Sequence, residues 1–145
     1  MRYLLDTNVL IFYAEGGKEL NKDVKFIFSD YENIIYVSSE VVKETMHLIR
    51  CEKIEVKQWK KPNDVWKSIY EWGFIIDYVK KEHIQTLGNL VAANEHKDPT
   101  DHIIIAHAIT NKIPIISSDR EFRHYKKQGL NLIFNEVHEK NKIAK

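Results

Sequence analysis

The chain has 145 residues, enough for one domain with a substantial core. Its apolar content of 43% and charged content of 30% are those of a folded globular protein and exclude a disordered chain. A net charge of +1 selects no partner class, because a basic rim can coexist with an acidic site. In chain order, residues 2–5 predict a strand, and Asn8 to Glu15 a helix stopped by Gly16-Gly17. Asn21 to Ser29 predicts a second helix and Ile34 to Val37 a strand. Ser39 to Arg50, capped by Ser38 or Ser39, carries Val41, Val42, Thr45, Leu48 and Ile49 at helical spacing. Pro62 to Trp72 reads as a helix with Gly73 just past its end. A strand over 74–79, a helix over Glu82 to Ala93 and a helix from Asp98 or Pro99 through Ala108 follow. The last of these is apolar all round and hence expected to be buried. A strand over 113–117, a helix over Arg120 to Lys127 and a strand over 130–134 complete the pattern. Alternating strands and helices predict a mostly parallel sheet covered on both faces, a three-layer α/β/α sandwich. The predicted domain spans 1–137, with a polar tail over 138–145 expected to fray.

The opening run Arg2-Tyr3-Leu4-Leu5-Asp6-Thr7-Asn8 is the most informative stretch. A buried strand there delivers a carboxylate at its C-terminal tip, with Thr7 or Asn8 as cap of the next helix. Ligands of open α/β sheets bind outside the carboxyl ends of the strands. The same pattern recurs where Ile115-Ile116-Ser117-Ser118 runs into Asp119. Glu44 lies in an amphipathic helix, and Asp98-Pro99-Thr100-Asp101 opens another. Four acids at element ends predict one cluster, and such clusters hold hard cations such as Mg²⁺ or Mn²⁺, one or two of them. Asp98, before Pro99 at the first helical position, is explained as a helix cap, with contact to the site as its other reading. Asn8 and Ser117 are expected in supporting roles around the carboxylates.

Leu4-Leu5-Asp6-Thr7-Asn8, Ser38 with Glu44 six residues on, Asp98-Pro99-Thr100-Asp101 and Ile116-Ser117-Ser118-Asp119-Arg120 together resemble the PIN-domain family, and within it the VapC-type toxins of bacterial toxin–antitoxin pairs. The likeness runs in order from residue 2 to about residue 134. It implies an α/β/α sandwich, Mg²⁺- or Mn²⁺-dependent endoribonuclease activity, a homodimer and inhibition by a small antitoxin. It assigns the metal and the catalysis to Asp6, Glu44, Asp101 and Asp119, favouring Asp101 over Asp98. Family members typically carry Arg after the third acid, where this chain has His102.

Weaker signals have plainer readings beside them. His96, His102 and His107 lack a partnering cysteine pattern, and zinc is set aside on that ground. Trp59, Trp66 and Trp72 among Lys57, Lys60, Lys61 and Lys67 offer stacking and charge for RNA, or contact with an antitoxin or a second copy. Trp66, Ile69 and Tyr70 at helical spacing equally suit a core. The run Arg120, Arg123, His124, Lys126, Lys127 is the better candidate for steering a phosphate backbone. Single Cys51 excludes an internal disulfide and fits a reducing compartment; with no signal-peptide pattern or membrane span, a cytoplasmic protein is expected. Two alternatives stand beside the nuclease: a catalytically silent binding protein of the same fold, and a metal-dependent phosphatase. An aspartyl-phosphate enzyme usually has a second Asp two residues after the first, where this chain has Asn8.

Overall fold

The computed structural model describes residues 1–137, so the expected tail over 138–145 lies outside the described residues. Five parallel strands form one sheet: β1 (Arg2–Leu5), β2 (Ile34–Ser38), β3 (Ile75–Asp77), β4 (Ile115–Ser117) and β5 (Leu132–Phe134), in the order β3-β2-β1-β4-β5. Adjacent residues of a strand face opposite sides of the sheet, and Leu4 and Leu5, like Ile115 and Ile116, are all fully buried. Both faces of the sheet centre are therefore covered, as expected. Between the strands lie α1 (Thr7–Ala14), α2 (Lys22–Ser29), α3 (Ser39–Arg50), α4 (Asn63–Glu71), α5 (Lys81–Asn89) and α6 (Pro99–Asn111).

The register explains where the chemistry falls. Ile76, Val37, Leu5, Ile116 and Ile133 sit side by side across the sheet. One step towards the carboxyl edge the chain turns polar at once in four strands, at Asp77, Ser38, Asp6 and Ser117. Chain order reverses between β1 and β4, since β1 leads outward to β2 and β4 outward to β5. At such a reversal the following helices diverge and leave a crevice above the strand ends. Asp6 and Ser117 stand at its two lips.

Local differences from the expected elements have physical causes. Asp6 itself caps α1, accepting from Thr7 N–H at 2.7 Å, so neither Thr7 nor Asn8 takes that role. The residues after Asp119 form a 3-10 helix, Arg120–Gln128, not an α-helix. Helix α5 stops at Asn89 and not at Ala93 because the next stretch is held by long-range partners. The Gln128 side-chain amide brackets Val91, donating to its carbonyl and accepting from its N–H at 2.8 and 2.9 Å, and the Tyr125 hydroxyl accepts from Ala93 N–H at 3.1 Å. Helix α6 runs three residues past Ala108, and Ile103 through Ala108 are buried as expected.

The Trp/Lys segment splits. Trp59 is buried and donates from Nε1 to Ser68 Oγ at 3.0 Å, and Trp72 packs edge-on against Tyr13. Ile69 is buried too, whereas Trp66 and Tyr70 stay exposed. Trp59 and Ile69 thus belong to the core, while Trp66, Tyr70 and the lysines face outward. His107, set in apolar α6, is satisfied on both sides, by Ser38 Oγ at 3.0 Å and Asp77 Oδ2 at 2.7 Å. Burial would raise the Asp77 carboxyl, but bonds from His107 and Asn111 outweigh it and hold it below the ordinary value. Burial likewise lowers His107 and keeps it neutral.

Candidate metal centre

The crevice gathers the acids that the sequence singles out. Asp6 is buried at the tip of β1. Its Oδ1 accepts from Thr7 N–H, and its Oδ2 accepts from Ser117 Oγ–H at 2.7 Å. Ser117 in turn accepts from Asp119 N–H at 3.0 Å, so one buried hydroxyl fixes the first and fourth acids together. Asp119 caps the 3-10 segment through Glu121 N–H at 2.9 Å. Asp98 caps α6 by accepting from Thr100 N–H at 2.9 Å and Asp101 N–H at 3.3 Å. Asp101 is thereby placed one turn into α6 with its carboxylate directed elsewhere. Glu44 reaches the cluster from the half-buried side of α3. Among the described residues, no hydrogen bond joins exposed Asn8 to any of these acids.

The electrostatics show how close the group is. Burial is the largest cause lifting Asp6 to about 7. The bonds from Ser117 and Thr7 oppose it, and the charges of Asp119 and Glu44 add to it. Burial also leads for Asp101, followed by repulsion from Asp6, Asp98, Asp119 and Glu44, and its carboxyl rises to about 9. Without a cation the cluster therefore holds protons at neutral pH. Every carboxylate offers hard oxygen, which is the donor set that Mg²⁺ and Mn²⁺ take. The residues fit a divalent ion.

Asp101 Oδ2 meets a residue that sequence reasoning set aside: His96 Nε2, at 2.9 Å. His96 Nδ1 lies 2.9 Å from the Tyr125 hydroxyl, which lies 3.2 Å from His102 Nε2. One ligand atom from each of His96, Asp101 and Asp119 falls within 4.8 Å of the others. The only signal in the sequence was a histidine two residues ahead of the Asp98 cap. Nothing in the periodicity points Tyr125, 29 residues on, at the same ring.

Beside Glu44 a groove of about 430 Å³ is lined also by Lys43, His47, Arg50 and Thr100. The other basic run is partly engaged: Arg120 and Arg123 pair with Glu136 at 3.5 and 3.4 Å, and Arg123 lies 4.0 Å over the Phe134 ring.

A parallel sheet with a cluster of acids at its order reversal forms an open crevice whose carboxylates fit a divalent cation. The chain belongs to the PIN domain family, whose model matches residues 3–128. Its fold is similar to solved structures of toxin–antitoxin proteins. VapBC2 from Rickettsia felis, bound to a promoter DNA fragment, matches with a TM-score of 0.70 at 18% identity, over 94% of this chain and 100% of that one. DNA-bound VapBC from Salmonella typhimurium matches at 0.66 and 18%, over 92% and 98%. Mycobacterium tuberculosis VapC20, described as a sarcin–ricin loop cleaving toxin, matches at 0.55 and 17%, over 83% and 92%. At these identities the likeness establishes the fold. A comparison with curated protein sequences gives no match.

Proposed function

We propose that this protein is a metal-dependent endoribonuclease, the toxin of a toxin–antitoxin pair. The observation that carries the reading is the linkage of buried Asp6 through Ser117 to half-buried Asp119, with Asp101 and Glu44 close enough to repel Asp6. Burying and crowding acids in this way costs stability, and residues that cost stability mark function. Asp6, Asp101 and Asp119 would hold Mg²⁺ or Mn²⁺, one ion or two, with Glu44 as a further ligand or as the anchor of its water. A cation bound there supplies charge neutralisation at phosphorus and an acidified attacking water. Ser117 keeps Asp6 and Asp119 at fixed separation. Lys43 and Arg50, with His47 between them on one side of α3, lie along the groove that leaves Glu44 and suit a phosphate backbone. Lys43 shares its charge with Glu40 at 3.4 Å, so Arg50 is the freer cation.

RNA is favoured as substrate by the neighbour that cleaves the sarcin–ricin loop. The VapBC neighbours support a small antitoxin as partner, and the exposed aromatics Phe26, Tyr31 and Tyr70 offer apolar surface to it or to a second copy in a homodimer. No helix of the described residues is long and apolar enough to cross a membrane, in keeping with a cytoplasmic place of action. The test sets RNA beside a small aryl phosphate, each with Mn²⁺ and with EDTA. Cleavage of RNA alone, lost in EDTA, is expected. Release of phosphate from the aryl ester would support the phosphatase instead.

A further inference from the structure

We propose that His96 is itself a ligand of the cation, joining Asp101 and Asp119 through Nε2 and making this a mixed nitrogen–oxygen site that prefers transition-metal ions such as Mn²⁺ to Mg²⁺. The inference rests on the metal-centre reading above. His96 Nε2 and Asp101 Oδ2 are 2.9 Å apart. Two ligand atoms each about 2.1 Å from one octahedral ion, at a right angle, lie about 3.0 Å apart. One ligand atom from each of His96, Asp101 and Asp119 lies within 4.8 Å of the others, so the three can face a common point. The spacing that holds a hydrogen bond between them in the metal-free protein is also that of two adjacent ligands of one ion.

The far side of the ring is prepared in the way metal-bound imidazoles require, with the second nitrogen held by a fixed partner. That partner is the Tyr125 hydroxyl, 2.9 Å from Nδ1, on a fully buried side chain. Ala93 N–H already donates to the same hydroxyl, and His102 Nε2 lies 3.2 Å from it. When the Tyr125 proton goes to His102, the hydroxyl oxygen accepts from both Ala93 N–H and His96 Nδ1–H. His96 Nε2 is then a bare lone pair aimed at the acid cluster. His102 thus acts as a positioning residue, taking the hydrogen bond that would otherwise turn the His96 ring to the wrong tautomer. Asn94 and Glu95 just before His96 are both left-handed, with φ of 50° and 61°, and neither is glycine. Such backbone is disfavoured, above all for a residue such as Glu95, and persists where the surroundings require it.

An imidazole among carboxylates shifts selectivity, because nitrogen donors favour the later divalent ions whereas all-oxygen sites suit Mg²⁺ and Ca²⁺. The test is pulsed electron paramagnetic resonance of the whole protein loaded with Mn²⁺, beside calorimetric titration of Mn²⁺ and Mg²⁺. Nitrogen coupling from a directly bound imidazole is expected in the wild type. It should change on ¹⁵N-histidine labelling, vanish in His96→Gln, persist in His102→Gln, whose amide oxygen still accepts from the Tyr125 hydroxyl, and weaken in His102→Ala, which has no acceptor there. His96→Gln should lose more than about tenfold in Mn²⁺ affinity, at least the cost of an outer-shell partner, with a clearly smaller change for Mg²⁺. Mn²⁺ bound without nitrogen coupling, or with coupling that survives His96→Gln, overturns the inference and leaves the carboxylate site standing. A wild type that binds no Mn²⁺ overturns both. The wild-type spectrum needs no substitution, so a poorly folded variant does not remove the test.

Discussion

Asp6→Asn is expected to make the metal-free protein more stable at pH 8 and to leave it unable to cleave RNA. Two opposite effects from one atom exchange distinguish a metal ligand from a structural cap. Asn caps helices about as well as Asp, so the bond from Thr7 N–H survives. Ser117 Oγ can accept from the new amide in place of donating to the old carboxylate. What disappears is a buried charge beside Asp119 and Glu44. Lifting this fully buried carboxyl from 3.8 to about 7 corresponds to roughly 4 kcal/mol for the ionised fold. Recovering even a third of that raises the melting temperature by about 2–5 °C in a domain of this size. Activity should fall further than the roughly 10–100-fold that loss of an outer-shell partner costs. Thermal melts in EDTA and RNA cleavage in Mn²⁺ read the two effects separately. A variant that unfolds would make Asp6 a structural cap.

The stability of the metal-free wild type should fall with rising pH, and the increment that metal adds should grow over the same interval. The Asp6 and Asp101 carboxyls rise to about 7 and about 9, both above the ordinary 3.8. The fold thus binds these protons more tightly than the unfolded chain does. That contribution is complete below about pH 4, and it is lost as pH rises through 7 for Asp6 and towards 9 for Asp101. In EDTA the melting temperature should therefore decline between pH 5 and 9 relative to the Asp6→Asn/Asp101→Asn double variant, which lacks both protons. A cation competes with those protons, so the increment from saturating Mn²⁺ should grow over the same interval. At a hundred times the dissociation constant it amounts to about 2.7 kcal/mol. Differential scanning fluorimetry across this pH range measures both curves. Parallel curves for the wild type and the double variant in EDTA would mean that the acids do not share a cluster.

How much of this could be read from residues alone depends on the range of the forces involved. All five strands were legible, because each is a short β-branched or Leu-rich run bounded by a polar tip. Asp6, Asp119 and the Asp98–Asp101 pair were legible as acids at element starts, since the carboxyl edge of a parallel sheet is where such tips meet. Choosing Asp101 over Asp98 needed the family likeness; the structure adds that Asp98 is occupied by its cap bonds. The end of α5 was not legible, as Gln128 and Tyr125 claim the backbone of Val91 and Ala93 from over thirty residues away. The same long-range packing hid His96. Composition misled at Trp59 and Trp72, whose neighbouring lysines suggest RNA while Trp59 is buried in the core and Trp72 packs half-buried between it and Tyr13. Arg120 and Arg123 looked free for phosphate, but Glu136 and Phe134 lie within their reach.

Whether the acids above β1 and β4 hold a cation that cuts RNA is tested most directly by cleavage of an end-labelled pool of structured RNA. The purified protein is compared in Mn²⁺ or Mg²⁺ and in EDTA, beside Asp101→Asn. Discrete cleavage is expected in the metal lanes, lost in both controls while the variant remains folded. Cleavage that persists in EDTA or in folded Asp101→Asn would contradict a metal-dependent nuclease built on these acids.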